Sequence, residues 1–441
     1  MGTLKVGAAR VCINPTPDMM PFPCGMGQAA YYTDIMSNCY VRTCVIDNGH
    51  TTAAIVGFDL AGPPDTKRIK GGIAAQTGIP EEHILLSAIH NHTGCGVFSP
   101  SCPEDEEKGR AYEEMVIEKG IAAVQQAMDN REEALYGYGE GKSYINMNRD
   151  RLCDDGSYIQ GPDPEGYSDK NVYLLKFTGL DGHLICAIAN YGMHATLGFM
   201  ETDTDGQMKM SANIPGYAEE YVENRFPGSV VIWTSSAAGD QNPYLFCLTD
   251  YEPDGFPYFA KWLPGAQYQL IGILGRQHGV DICKGLNSID CKQRNMPIHF
   301  TETHVMLPGQ KPPVGADMAR NSLLVSHREH LVPGEQFVQM EDDPEHPFDL
   351  YLQQAVLGDI AFIGFGAELY SRLGRDCMEV SPYKKTFIIT HAARARGYIV
   401  DRYSAGHTTF QTFGPIRPGK ADKPILETIQ SQFVRLAAQD E

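Results

Sequence analysis

The chain has 441 residues, a formal charge of −19 and 42% hydrophobic residues. That is enough chain for a large core, and it excludes coiled-coil, collagen-like and largely disordered sequences. With 36 basic against 55 acidic residues, the clustered Lys and Arg needed to neutralise phosphates are missing, so no nucleic-acid partner is expected.

Strand and helix patterns alternate along the whole length. Leu4–Cys12, Tyr40–Asp47 and Thr52–Asp59 read as strands from their β-branched content and bounding turns. Lys67–Thr77 follows as a helix, Ile84–Ala88 as a short buried strand, and Glu106–Asp129 as a long amphipathic helix with apolar residues near i, i+3 and i+4. Asn171–Phe177 and Leu184–Tyr191 form a strand pair around Asp181-Gly182, followed by the helix Ile214–Asn224, the strand Ser229–Ser235 and the helix Tyr268–Lys284. Asn295–Met306 and Asp349–Gly364 return to strand. Glu368–Cys377 reads as a short helix, Lys385–His391 as a strand and Pro424–Ala438 as a closing helix. The Pro- and Gly-rich stretches Asp250–Gly265 and Pro308–Ala316 read as loops rather than linkers, because strong patterns resume at once. The expectation is an α/β fold: one large catalytic domain over residues 1–441, with a mixed β-sheet flanked by helices and a metal site at strand ends.

The N-terminus lacks the charged and apolar regions of a signal peptide, and no apolar run reaches 18 residues. The twelve cysteines are scattered and none forms C-x-x-C. These features set the expectation of a cytoplasmic protein with no stable membrane anchor. The oligomeric state is left open.

Five segments could carry chemistry. The apolar strand Ile84–Ala88 runs into His90-Asn-His92. Side chains two apart in extended chain point the same way, so both imidazoles face one spot, a pairing suited to Zn²⁺. A pair of satisfied histidines is the alternative. A second apolar strand ends in His194, and a third segment, Asp359–Glu368, reads as a strand, a Gly turn and then Glu368 at the start of a short helix. Beside two histidines, Glu368 would complete the nitrogen and oxygen ligand mix of catalytic zinc sites; a simple helix-start carboxylate is the alternative. Ser235–Pro243 is a small-residue loop that contains Asp240 and Asn242 and permits close approach to a ligand. Asn146–Arg151 is a polar cluster in which Arg149 could grip a carbonyl or carboxylate, unless it is only a solvated charge run.

Taken in order, these segments resemble the catalytic domain of the neutral ceramidase family of zinc amidases. The matching stretches are Ile89-His-Asn-His-Thr-Gly94, Asn148-Arg149, Gly192-Met-His-Ala195, Gly239-Asp-Gln-Asn-Pro-Tyr244, Gly366-Ala-Glu368 and Gly397-Tyr398-Ile-Val-Asp401, with Ser211–Ala218 fitting between them. The resemblance implies Zn²⁺ held by His90, His194, Glu368 and Tyr398, with His92, Arg149 and Asn242 acting on the substrate. Asn242 stands where the family carries a serine, and an amide side chain cannot be a nucleophile. Phe410 stands where the family has a further tyrosine. No counterpart of the family's immunoglobulin-like C-terminal domain is expected.

These differences set the leading expectation: a zinc-dependent hydrolase that cleaves an amide, or a related C–N or C–O bond, in a small soluble substrate through metal-activated water. The second expectation is a ceramidase acting on N-acyl sphingosine lipids. The third is a catalytically silent homologue that binds metal or ligand.

Overall fold

A computed structural model describes residues 3–24, 30–95, 102–153, 156–199, 201–247, 265–326, 336–394 and 397–438. In chain order its principal strands are β1 (Lys5–Cys12), β2 (Tyr40–Asp47), β3 (Thr52–Phe58), β4 (Ile84–Ala88), β5 (Glu132–Lys142), β6 (Asn146–Leu152), β7 (Tyr158–Asp163), β8 (Asn171–Gly179) and β9 (Leu184–Tyr191). They continue with β10 (Val230–Ser235), β11 (Gln241–Pro243), β12 (Ile298–Lys311), β13 (Glu341–Leu357), β14 (Ile360–Phe365), β15 (Glu368–Leu369), β16 (Lys385–Ile389) and β17 (Tyr398–Ile399). The helices are α1 (Thr66–Thr77), α2 (Pro103–Asp129), α3 (Asn213–Arg225), α4 (Ala266–Ser288), α5 (Met318–Ser326), α6 (Ser371–Val380) and α7 (Asp422–Ala437).

An eight-stranded mixed sheet has the order β10-β9-β8-β5-β1-β2-β3-β4. A second sheet of four strands, β12-β13-β14-β16, lies against one of its faces. The core between the two sheets contains Val6, Ile46, Ile55, Phe177 and Ile188 from the first and Ile298, Phe300, Leu357, Phe362 and Phe387 from the second. Helices cover the outer faces. Ile69 and Ile73 of α1 and Val116 and Val124 of α2 pack on Val45, Val56 and Leu86, while α3 and α4 pack on Leu174, Ala187 and Trp233. On the second sheet, Leu373 of α6 and Ile425, Ile429 and Phe433 of α7 cover Leu352, Ile363 and Ile388.

The α/β architecture with its large mixed sheet is therefore as expected from sequence, but the strands divide between two stacked sheets, and the helices flank the pair. This explains β9, whose residues Leu184–Tyr191 are buried on both faces. Such a strand reads as a continuous apolar run, without alternation.

Three local readings are corrected. Asp349–Gly364 is not one strand: Gly358, with φ of 66°, turns the chain between β13 and β14. Pro308–Ala316 is not all loop, because β12 continues to Lys311 as an antiparallel partner of β13. Glu368 does not open a helix. It lies in β15, whose partner is β17, with Glu368 N–H donating to Gly397 O at 3.0 Å. The expected loop Asp250–Gly265 falls outside the described residues except for Gly265. No helix among the described residues is long and apolar enough to cross a membrane.

One charged cluster is sealed inside this frame. Arg42 on β2 is 2% exposed and lies 2.7 Å from Asp59, 2.7 Å from Glu219 and 3.2 Å from Glu223. Burial opposes the charge on Arg42, but the three carboxylates outweigh it and raise its pKa well above the ordinary value. The Arg42 guanidinium, joined at Glu223 by the half-exposed Arg10, is what allows those carboxylates to share the interior. Replacing it should leave them uncompensated, so Arg42→Met is expected to lower the unfolding free energy by about 3–5 kcal/mol. Urea denaturation checks this, and an unchanged midpoint would remove the cluster as a structural requirement.

Candidate metal centre

Four strands deliver side chains to one point, each just past its C-terminal end. His90 follows β4, His194 follows β9, Glu368 follows β14 and His391 follows β16. The first two strands belong to the large sheet and the other two to the smaller one. The sheets are tied together beside this point: Asn190 Nδ2 donates to Thr234 O on one and to Ile388 O on the other, at 3.2 and 2.8 Å. Thr390 N–H donates to Ser235 O at 2.9 Å.

The imidazoles are held by backbone carbonyls. His90 Nδ1 lies 2.9 Å from Ala61 O, and His194 Nδ1 lies 2.7 Å from Ala238 O. A carbonyl only accepts, so each Nδ1 carries the proton and each Nε2 presents a lone pair. Those Nε2 atoms face another acceptor, Glu368 Oε2, at 3.3 and 3.0 Å. His92 Nε2 is 3.2 Å from His90 Nε2, and the Tyr398 hydroxyl is 3.4 Å from His194 Nε2. The β15–β17 pairing sets Glu368 directly opposite Tyr398.

Acceptor atoms crowded this closely, with the ring protons turned outward, suit a cation at their centre. Among the described residues two sets of side chains could share an ion: His90, His92 and His194, and His90, Glu368 and His391. His92, expected to face substrate, therefore stands as close to the centre as the histidines expected to bind metal.

Burial pushes the pKa of His92 well down, and burial together with the Arg149 charge brings His194 down to about 3. Burial also works against a charge on His90, but Glu368 outweighs it and the pKa is raised. Burial alone would raise Glu368, yet the surrounding histidines hold it well below the usual carboxylate range. Burial keeps the Tyr398 phenol protonated, with Glu368 adding to the effect.

Arg149 is 2% exposed and sits beside this group, and among the described residues no carboxylate is hydrogen-bonded to it. It donates to Gly239 O at 2.6 Å, to Asn242 Oδ1 at 3.2 Å and to the Tyr398 hydroxyl at 3.4 Å. Asn242 thus touches Arg149, and Phe410 lies under the guanidinium at 5.6 Å. All seven residues singled out from the sequence come together here.

His391 was missed. It is 2% exposed, stacks on His90 at 4.0 Å and adopts a φ of +55°. Its signal was present, since Phe387-Ile-Ile-Thr-His391 is another apolar strand ending in histidine.

Asp240 anchors the loop beneath Arg149. Its carboxylate accepts from Ser371 N–H at 2.8 Å, the Ser371 hydroxyl at 2.7 Å and Asn148 Nδ2 at 2.9 Å, while its carbonyl accepts from Arg149 N–H. Burial, followed by the nearby Asp150 charge, pushes its pKa up to about 7.

No family model matches the chain. The neutral ceramidase of Pseudomonas aeruginosa is 26% identical over 175 residues, a match covering 37% of this chain and 25% of that protein. The matched segment thus spans about a quarter of the curated relative's length. The crystal structure of neutral ceramidase from Pseudomonas aeruginosa superposes with a TM-score of 0.69 at 16% identity, covering 99% of this chain and 75% of that one. A ceramidase described as complexed with C2 superposes with a TM-score of 0.71 at 16% identity, covering 100% and 76%. The resemblance to the neutral ceramidase family read from the motifs is borne out by this sequence match and by the shared fold.

The raised Asp240 pKa has a measurable consequence. Between about pH 4 and pH 7 the native state keeps a proton that the unfolded chain releases. This contribution to stability is full below the unfolded pKa and is lost as pH rises through the folded one. Relative to wild type, Asp240→Asn should therefore gain stability from pH 5 to about pH 7 and level off above it. Paired denaturation curves across that range check the sign, and a flat difference would contradict the assigned shift.

Proposed function

We propose that the chain is a metal-dependent amidohydrolase that cleaves the N-acyl bond of a ceramide-like lipid amide. The observation that carries this reading is the convergence of His90, His92, His194, Glu368, Tyr398 and Arg149 on one buried point. That point lies in a fold shared with a ceramidase described as complexed with C2. Of the substrates weighed from the sequence, the N-acyl lipid is better supported than a small soluble amide, because the similar proteins carry the ceramidase name.

In this reading His90, His194, Glu368 and Tyr398 hold a zinc ion. The donor set supports the assignment: two imidazole nitrogens, a carboxylate and a phenol oxygen, with both imidazoles oriented by backbone carbonyls. Zinc at such a position supplies a Lewis acid for a carbonyl and a bound water ionising near pH 7. His92 stays neutral at physiological pH, and its ring stands beside the ligand atoms, where it would exchange a proton with the substrate. The Arg149 guanidinium faces the site permanently charged, where it stabilises negative charge on the substrate oxygen. Asn242 contributes by accepting from Arg149 Nη1, which fixes the fork without any covalent step.

Zinc-loaded protein should release fatty acid from an N-acyl sphingosine, and His194→Ala should abolish both zinc retention and release. Arg149→Met should keep the metal but lower kcat by about 10²–10³. Full turnover by metal-free His194→Ala would sink the assignment. Turnover of short soluble amides alone would return the substrate to the small-molecule class, and stoichiometric zinc with no turnover of any amide would leave a silent binder.

A further inference from the structure

Strand β6 has two working faces. Arg149 points to the metal centre, while Asn148 and Asp150, two apart and therefore on the opposite face, line a separate cavity of about 330 Å³. Tyr158, Asp163, Asp240, Arg372, Tyr403 and His407 also line it.

Asp150 is 3% exposed. Its Oδ2 lies 2.9 Å from His407 Nδ1, but its Oδ1 is buried and has no hydrogen-bond partner among the described residues. A buried carboxylate oxygen without a donor is costly, since it loses water and receives nothing in return. Two more carboxylates face the same space. Asp163 sits opposite Asn148 across the β6–β7 pairing and accepts from Glu165 N–H at 3.2 Å, and Asp240 accepts from Ser371 and Asn148. A side chain at Gly166 would come within 2.6 Å of Asn148 and 2.5 Å of Asp163, so the glycine keeps the space beside the Asp163 carboxylate open.

The walls are aromatic. Tyr158 stacks on His407 at 3.6 Å, and the exposed Arg372 already lies over the rings of Tyr167 and Tyr403 at 5.4 and 5.1 Å. These rings accept a cation on their faces. The carboxylates are not grouped as metal ligands: among the described residues, both sets able to share an ion belong to the centre on the other face of β6.

We propose that this cavity binds a small organic cation, a primary alkylammonium, with its charge on Asp150 Oδ1 and Asp163 and its carbon chain against Tyr158 and Tyr167. An ammonium brings three donors to a site short of them, and its alkyl part suits the rings. The proposal is independent of the reaction assigned to the metal centre.

The test is calorimetric titration of the full-length protein with n-butylamine, protonated at neutral pH, against its neutral isostere 1-butanol. Saturable binding of the amine, with none of the alcohol at the same concentrations, is expected. Asp150→Asn should weaken the amine at least tenfold. Asp163→Asn should also weaken it, and this half-buried position keeps the test alive if the first variant does not fold. His194→Ala should leave amine binding unchanged, which separates this cavity from the metal centre. Equal binding of amine and alcohol, no binding of either, or wild-type affinity in both carboxylate variants would overturn the proposal. Saturable binding of calcium that Asp150→Asn abolishes, with no amine binding, would overturn it in favour of a metal site.

Discussion

The stacking of the two sheets is the constraint on which the rest depends. A metal-type cluster built from one sheet would draw its ligands from neighbouring strand ends. Here β4 and β9, far apart in the large sheet, are joined past their ends by the bridge of Asn91 to Ala195, and the ends of β14 and β16 reach the same point because the smaller sheet lies face to face with the large one. The apolar layer between them, with Phe177, Phe362 and Phe387 fully buried, therefore does two things. It supplies hydrophobic stabilisation at roughly 25 cal/mol per Å² of buried apolar surface, and it sets the distance between His90 and His194 on one side and Glu368 and His391 on the other. The hydrogen bonds from Asn190 and Thr390 across the seam fix that distance where a purely apolar contact could slide.

Orientation is set by a different interaction. An imidazole at a strand end could rotate, but Ala61 O and Ala238 O each take a ring proton. Ala61 follows Asp59, whose carboxylate faces Arg42, and Asn91 Nδ2 donates to Asp59 O at 3.2 Å. The sealed Arg42 cluster thus stands behind the loop that orients His90. Its cost in desolvation is met by a guanidinium shared among three carboxylates, an arrangement retained here next to the residues that must not move.

The strand-end histidines were legible in the sequence because each ends a run of apolar residues, a pattern that survives without any knowledge of partners. The helices α1, α2 and α4 were legible for the same kind of reason, a period near 3.6. What could not be read was which strands share a sheet. Ile298 and Ile188 share the core between the sheets, yet neither segment names its partner: β9 is buried on both faces and reads as one apolar run, while β12 alternates as an edge strand of either sheet would. Glu368 shows the same limit: Gly366-Ala-Glu368 before a helical pattern reads as a helix start, and only the distant Tyr398 makes it a strand. His391 was passed over because it lies outside the motifs that suggested the family, although its strand carried the signal already used for His90 and His194.

Strand β6 joins these observations. Asn146-Met-Asn-Arg-Asp-Arg151 is an improbable sequence for a strand interior, and from composition it reads as a surface run. It is tolerated because every second residue meets a prepared partner. Arg149 finds Gly239 O, Asn242 and the Tyr398 hydroxyl on one side, while Asn148 finds Asp240 and Tyr167 O on the other. The alternation of a strand, which elsewhere in the fold separates core from core, here separates a fixed positive charge from a set of carboxylates one peptide unit away. Were the register to slip by a single residue, Arg149 would enter the acidic cavity and Asp150 would face Glu368. The antiparallel pairing of Asn148 with Gln241 and of Met147 with Asn242 prevents this, so the short strand β11 after the small-residue loop does more than close a turn. It holds the guanidinium on the side of β6 where the acceptor atoms converge.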